Sequence, residues 1–350
     1  MNPLWEDGHL ERMKRYLVAF CLVIAGGCVG LFLAESFTRV FYPHIRDSSA
    51  PAGLFSIDHD LGWKLNPGKK AIHHTRYFDV VYTTNGLGFR DKPRNVVKDN
   101  KTYRILLYGD SLIFGWGVPA EKRFSNLIET QRRPLEIWNL AVPGYGLDQE
   151  ILSYERDGRS LNADQVIFFV SRSTLSRIRT GYIYDKYKPV FEISPDGKLI
   201  LISIPRGKSA INSLLYQILS PLYLPYFVER QLVILKETLN KSSYIKTHRD
   251  DTQTRLIGDL EEKILSLARS ITLEKNQRMT VLADLPEATR KDLRKFCQQN
   301  GIGFLEINLD DYKVEDFTFG KDDRHWDVRA HRLIAEQLLL QIHSYDKRGG

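Results

Sequence analysis

Cysteine is nearly absent from this chain: three residues in 350. Two of them, Cys21 and Cys28, lie inside the first apolar stretch, and only Cys297 stands in the body. That excludes a disulfide framework and a cysteine-built metal cluster. Cys297 follows Phe296 in a short helical pattern and reads as a buried small hydrophobe. Long blocks of one charge are also missing, as is any zinc or helix-turn-helix pattern, so nucleic acid is not an expected partner. The net charge of +7 is diffuse. It suits an anionic lipid surface or an acidic polysaccharide as well as an ordinary solvated exterior. Nothing in the chain calls for a cofactor or a metal.

What is present begins with a topological signal. From Tyr16 to Ala34 no residue carries a charge. As a helix this stretch covers roughly 28 Å, close to the ~30 Å hydrocarbon thickness of a bilayer. Arg12, Lys14 and Arg15 precede it, which favours a cytoplasmic N-terminus, although Arg39 and Arg46 follow. No A-x-A site closes the run, so an uncleaved anchor is expected over a signal peptide. The expected organisation is a cytoplasmic segment 1–15, a transmembrane anchor 16–34, an irregular lead-in 35–100 and a folded domain 101–345. The Pro-, Gly-, His- and Asn-rich lead-in includes His73 and His74, expected at the surface.

From Tyr103 the pattern becomes strand–helix alternation. Strands are expected at Tyr103–Tyr108, Leu135–Leu140, Gln165–Val170, Met279–Asp284 and Gly303–Ile307. Leu256, Leu260, Ile264, Leu267 and Ile271 share one helical face, and Ala288–Asn300 forms another helix, stopped by Gly301. Short apolar strands alternating with helices predict an α/β fold with a parallel sheet covered on both faces. Residues 175–250 break the alternation: a hairpin turning at Pro195-Asp196-Gly197, then an apolar stretch too interrupted by Pro221 and Pro225 to cross a membrane. That insertion reads as packed on the main sheet or as an interfacial flap near the membrane or the site.

The chemistry gathers at strand ends. The first strand runs directly into Gly109-Asp110-Ser111, which lifts a serine hydroxyl off the sheet at a tight turn. On its own the triplet also fits a helix-capping serine. Near the C-terminus, Asp322-Asp323-Arg324-His325 precedes the start of a last helix. An imidazole with a carboxylate two or three residues before it supplies a general base and the group that orients it.

These pieces together resemble the SGNH/GDSL hydrolase superfamily. Tyr103–Ser111 is similar to its first block, Asn139-Leu140-Ala141-Val142-Pro143-Gly144-Tyr145-Gly146 to its second, and Asp322–His325 followed by His331 to its fifth. The resemblance implies a flavodoxin-like three-layer sandwich with a five-stranded parallel sheet, preceded here by one transmembrane helix. It further implies Ser111 as nucleophile, His325 as base, Asp322 (or Asp323) as its carboxylate partner, and the amides of Ser111 and Gly144 in the oxyanion hole. His331 is expected to be structural. Leu61–Gly68 and Asn85–Arg90 resemble the lead-in of membrane-anchored members that sit with extracellular polysaccharide machinery.

One departure stands out. The superfamily's third block carries an oxyanion Asn, whereas this chain has Val170-Ser171-Arg172-Ser173-Thr174-Leu175. Ser173 lies nearest that position, with Arg172 as the alternative donor. The resemblance therefore implies an extracytoplasmic esterase or acyltransferase for O-acyl groups of a polysaccharide, O-acetyl first among them, with polysaccharide-assembly proteins as candidate partners. A lipid-directed esterase and a non-catalytic binding or assembly protein are the alternatives.

Overall fold

The structure, a computed structural model, describes residues 4–43, 45, 49–132, 134–184, 186–204, 218–219, 222–239, 257–320 and 323–346. In chain order its elements are α1 (Leu4–Phe41), β1 (Phe55–Asp58), β2 (Gly62–Leu65), β3 (Lys70–His74), β4 (Asp79–Thr83), β5 (Tyr103–Tyr108) and α2 (Ser111–Phe114). There follow α3 (Phe124–Gln131), β6 (Leu135–Asn139), α4 (Leu147–Ser153), β7 (Gln165–Ser171), α5 (Arg172–Arg177) and two hairpins. The hairpins are β8 (Tyr182–Ile183) with β9 (Lys186–Tyr187), and β10 (Val190–Ile193) with β11 (Leu199–Ile202). The chain closes with α6 (Leu224–Leu239), α7 (Asp259–Leu273), β12 (Arg278–Asp284), α8 (Glu287–Gln299), β13 (Gly303–Glu306) and α9 (Val328–Asp346).

The chain divides into two compact units, one comprising Met1–Ser48 with Gln217–Arg249, the other Ser49–Tyr216 with Asp250–Gly350. In the first, the Arg12–Phe41 part of α1 is long and apolar enough to cross a membrane, with mean hydropathy 2.6 and no buried residue in its most apolar window. The helix thus continues past the expected end at Ala34. Glu35, one residue beyond that end, accepts the backbone amides of Tyr223 (2.9 and 3.0 Å) and Leu224 (2.8 Å) at the start of α6. Arg39 lies over the Tyr223 ring at 4.7 Å, and Tyr42 meets Phe227 at 4.8 Å. The described helix of the insertion therefore belongs with α1 and not with the sheet; most of the interrupted apolar stretch before it lies outside the described residues.

In the second unit the five expected strands form one parallel sheet in the order β13-β12-β7-β5-β6. Counting only these strands along the chain, the order is 2-1-3-4-5, the flavodoxin-like doubly wound arrangement. β5, β7 and β12 are each buried over five or more consecutive residues. Side chains alternate faces in a strand, so continuous burial requires cover on both sides. Helices α3 with α9 and α4 with α7 pack pairwise, and α8 lies on β12 and β13. Apolar side chains such as Leu106, Phe168, Phe169, Val281, Ile264, Leu293 and Ile334 are all buried in this core. The strand order reverses between β5 and β7, and such switch points open a crevice at the carboxyl ends of the strands.

The lead-in is more ordered than its composition suggested. It forms the hairpins β1–β2 and β3–β4. His74 is exposed and pairs with Asp79 at 2.8 Å. His73, expected at the surface, is buried at 3% exposure, hydrogen-bonded to Tyr82 and set edge-on to Trp116 at 4.7 Å. The reason is strand period: β3 alternates out and in, and His73 shares the inward face with Ala71.

Candidate active site

The turn after β5 is fixed by space. A Cβ on Gly109 would stand 2.3 Å from Ile113 Cγ1 and 3.1 Å from Phe169 Cβ, so no larger residue fits between strand and helix. Asp110 caps α2 by accepting the Leu112 amide at 2.9 Å, and Ser111 opens that helix with 8% exposure. Gly115 ends it in the left-handed conformation at φ 75°. The loop beyond is held by Arg90 from the lead-in. Its guanidinium is buried and donates to the carbonyls of Phe114 (2.9 Å), Gly115 (2.7 Å) and Val118 (2.6 Å).

His325 arrives from the loop before α9. Its Nε2 lies 2.8 Å from Ser111 Oγ, and its Nδ1 lies 2.7 Å from Asp323 Oδ1, which also accepts the His325 amide at 3.0 Å. The imidazole stacks on Trp116 at 5.6 Å and 30°. The loop is pinned by a bridge between Thr318 and Trp326, and Trp326 is buried against Phe169. Burial alone would raise the Asp323 carboxyl, but hydrogen bonds from His325 outweigh it and hold the group below the usual carboxylate range. Of the two candidate partners, Asp323 holds the ring; Asp322 lies outside the described residues. His331 is fully buried, stacks on Phe124 and accepts the Phe124 amide at 3.2 Å. Burial and the neighbouring Arg123 and Arg90 pull its imidazole down to about 3, so it stays neutral and structural.

Gly144 lies in the turn after β6 at φ +85°, a conformation that suits glycine. That turn is fastened at several points. The Val142 amide donates to Gly109 O at 3.0 Å, and Asn139 Nδ2 donates to Ile113 O at 2.8 Å. From β2, Trp63 Nε1 donates to Pro143 O at 3.0 Å, while the Tyr145 hydroxyl returns a bond to Trp63 O at 2.6 Å.

Ser173 is brought to the same site, on the far side of Asp110. Its hydroxyl donates to Asp110 Oδ2 at 3.1 Å and lies 2.9 Å from Ser171 Oγ, which itself accepts the Thr174 amide. A hydroxyl has one proton, and here the carboxylate takes it. Arg172, the alternative, is exposed. The cation that reaches this region is one the sequence did not single out. Arg177 Nη1 donates to Asp110 Oδ2 (2.8 Å) and to Tyr145 O (3.0 Å), and Nη2 meets the Tyr184 hydroxyl at 3.3 Å. Behind it Lys188 pairs with Asp148, both fully buried, and donates to the carbonyls of Arg177 (3.2 Å) and Pro189 (3.0 Å). A spacing of 67 residues between Asp110 and Arg177 gave no local signal of their pairing.

Among the described residues no group of three His, Cys, Asp or Glu is placed to hold a metal ion. The arrangement of a serine hydroxyl on an imidazole, itself on a carboxylate, can carry out nucleophilic acyl transfer.

No family model and no curated protein matches the chain. Among solved structures it is similar to a member of the lipolytic protein G-D-S-L family from Veillonella parvula, at 12% identity and TM-score 0.38, over 68% of this chain and 97% of that one. A psychrotrophic esterase, EstA, from a Pseudoalteromonas species shares 10% identity at TM-score 0.40, over 70% and 98%. An acetylxylan esterase from Geobacillus stearothermophilus, solved as a catalytic mutant, shares 11% at TM-score 0.39, over 70% and 96%. The 2-1-3-4-5 order of the parallel sheet itself defines the flavodoxin-like fold.

Proposed function

We propose that the chain is a membrane-anchored serine hydrolase of the SGNH/GDSL type that acts on O-acyl groups of carbohydrate, O-acetyl first, outside the cytoplasmic membrane. The observation that carries this reading is the continuous line from Ser111 Oγ through the His325 imidazole to Asp323, at 2.8 and 2.7 Å. Ser111 attacks the acyl carbonyl while His325 Nε2 takes its proton, and Asp323 stabilises the imidazolium that forms. His325 then protonates the departing sugar oxygen. Water, or a second sugar hydroxyl, resolves the acyl-enzyme. In this reading the amides of Ser111 and Gly144 hold the oxyanion. Ser173, whose proton goes to Asp110, braces the turn and is not the replacement donor.

Turnover of p-nitrophenyl esters of increasing chain length tests the activity. A preference for acetate supports the small-acyl reading, a preference for long chains supports a lipid-directed esterase, and no turnover at any length leaves a binding or assembly protein. Topology is tested separately. The Arg12, Lys14 and Arg15 cluster ahead of the apolar helix supports an outward-facing body. Reporter fusions after Phe37 should be active on the outer side of the cytoplasmic membrane, and a mature N-terminus near residue 28 or 36 would refute the anchor.

A further inference from the structure

Tyr184 stands at the tip of the β8–β9 hairpin. Its φ is +51°, in the left-handed region, and the residue is 54% exposed. A two-residue hairpin turn calls for a positive φ at this position, and the side chain is held by its surroundings as well. The aromatic ring lies 3.0–3.3 Å from the position a Cβ on Gly144 would take, and the Trp63 ring reaches within 3.2 Å of the same point. The Tyr184 hydroxyl rests on Arg177, the guanidinium that also bonds Asp110 and Tyr145. One cation thereby ties Tyr184 to the residue before Ser111 and to the residue after Gly144. The hairpin is fixed from behind as well: the Lys188 amide donates to Gly181 O at 2.9 Å, and a Cβ on Gly62 would stand 2.5 Å from Tyr187 O.

An exposed residue, Tyr184 packs its ring on the Gly144 turn, which the proposed reaction uses to hold the oxyanion. Its surroundings are polar: Arg177 at its hydroxyl, and Lys186 over the adjacent Trp63 ring at 5.8 Å. A long acyl chain is bound by a continuous apolar wall, whereas the Tyr184 and Trp63 rings here are interrupted by the cations of Arg177 and Lys186. A pyranose matches it, because its axial C–H bonds form an apolar face that lies on an aromatic ring while its hydroxyls project sideways towards charged donors. We propose that Tyr184 is the stacking platform for the ring of an acylated pyranose, and that it sets specificity by delivering the sugar's ester to Ser111. This inference rests on the hydrolase reading for its geometry, and its test can fail independently.

The test uses the full-length chain in detergent and Tyr184→Gly, which suits the positive φ and removes the ring, with a denaturant melt to confirm that the variant is folded. Two substrates are compared by pH-stat: ethyl acetate, which has no ring, and peracetylated methyl xylopyranoside. Tyr184→Gly should raise KM for the pyranoside roughly 5- to 20-fold with kcat nearly unchanged, and leave ethyl acetate within about two-fold. Tyr184→Phe, which keeps the ring, should retain most of the pyranoside preference. A Tyr184→Gly variant with the same ratio of the two kcat/KM values as wild type overturns the platform while leaving the hydrolase intact. Binding of an unreactive xylo-oligosaccharide by saturation-transfer NMR gives the reverse separation. If the wild type hydrolyses neither ester yet Tyr184→Gly abolishes that binding, the platform stands and the hydrolase reading falls. A wild type that neither hydrolyses nor binds sinks both.

Discussion

Ser111 has two unlike flanks. On one side stand His325, whose Nε2 lies 2.8 Å from Ser111 Oγ, and Asp323, which holds the other ring nitrogen at 2.7 Å. On the other stand Asp110, Arg177, Asp148 and Lys188, four buried charges joined by hydrogen bonds to one another and to the backbone. In the proposed reaction the imidazole of the first flank gains and loses a proton, whereas the second flank holds the turns in place through hydrogen bonds. Buried ion pairs add little net stability, but a buried charge left without its partner is strongly destabilising. The fixed flank is therefore expected to set the position of the serine turn and the glycine turn, while the proton-moving flank sets the rate.

Variants that cut each flank sharpen the contrast, beginning with rate. Ser111→Ala and His325→Ala should each lower ester kcat by roughly 10⁴–10⁶-fold with folding intact, and the double variant should be no worse than either, because the members act as a unit. Asp323→Asn, which leaves the ring without a carboxylate on Nδ1, should cost about 10³–10⁴-fold. On the fixed flank the readout is stability. Lys188→Met leaves Asp148 buried and alone, and should lower the unfolding free energy by about 3–5 kcal/mol, measured by denaturant melts. Adding Asp148→Leu should recover most of that loss. If Lys188→Met instead removed activity without moving the melt, the two flanks would not differ as described.

A smaller effect concerns pH. Asp284, at the end of β12, is raised to about 6, first by burial and then by the nearby charge of Asp110. The folded chain binds this proton more tightly than the unfolded chain, whose aspartates titrate near 3.9. Its stabilising contribution is therefore fully present below about pH 4 and lost as the pH rises to about 6. Asp284→Asn carries no such dependence, so relative to wild type it should gain on the order of 1–3 kcal/mol between pH 4 and pH 7. The smallest expected change is at His74, whose pair with Asp79 is exposed on both sides. His74→Ala should shift stability by less than about 0.5 kcal/mol.

The two flanks also differ in how far the sequence disclosed them. An apolar strand running into Gly109-Asp110-Ser111, and a carboxylate two residues before His325, are local patterns, so the strand order's anchor points and the proton-moving flank could be read along the chain. The five strands and the helices α7 and α8 lie within three residues of where their periodicity placed them. The fixed flank could not be read. Lys188 and Asp148 are 40 residues apart, and Asp110 and Arg177 are 67 apart, so these groups become partners only when the fold closes. Its place in a motif points to Ser173, yet the atom that decides its role, Asp110 Oδ2, belongs to another strand end. His73 was legible in principle: period-two alternation puts it with Ala71 inside, but the exposed Ile72 between them masks that signal.

Activation of Ser111 by His325 is tested most directly by covalent labelling. Treated with a fluorophosphonate, the full-length chain should gain one adduct by intact mass, mapped by peptide sequencing to Ser111, with the labelling rate falling at least about 10³-fold in His325→Ala. Labelling that persists undiminished in Ser111→Ala, or a wild type that takes up no label while remaining folded, would contradict it.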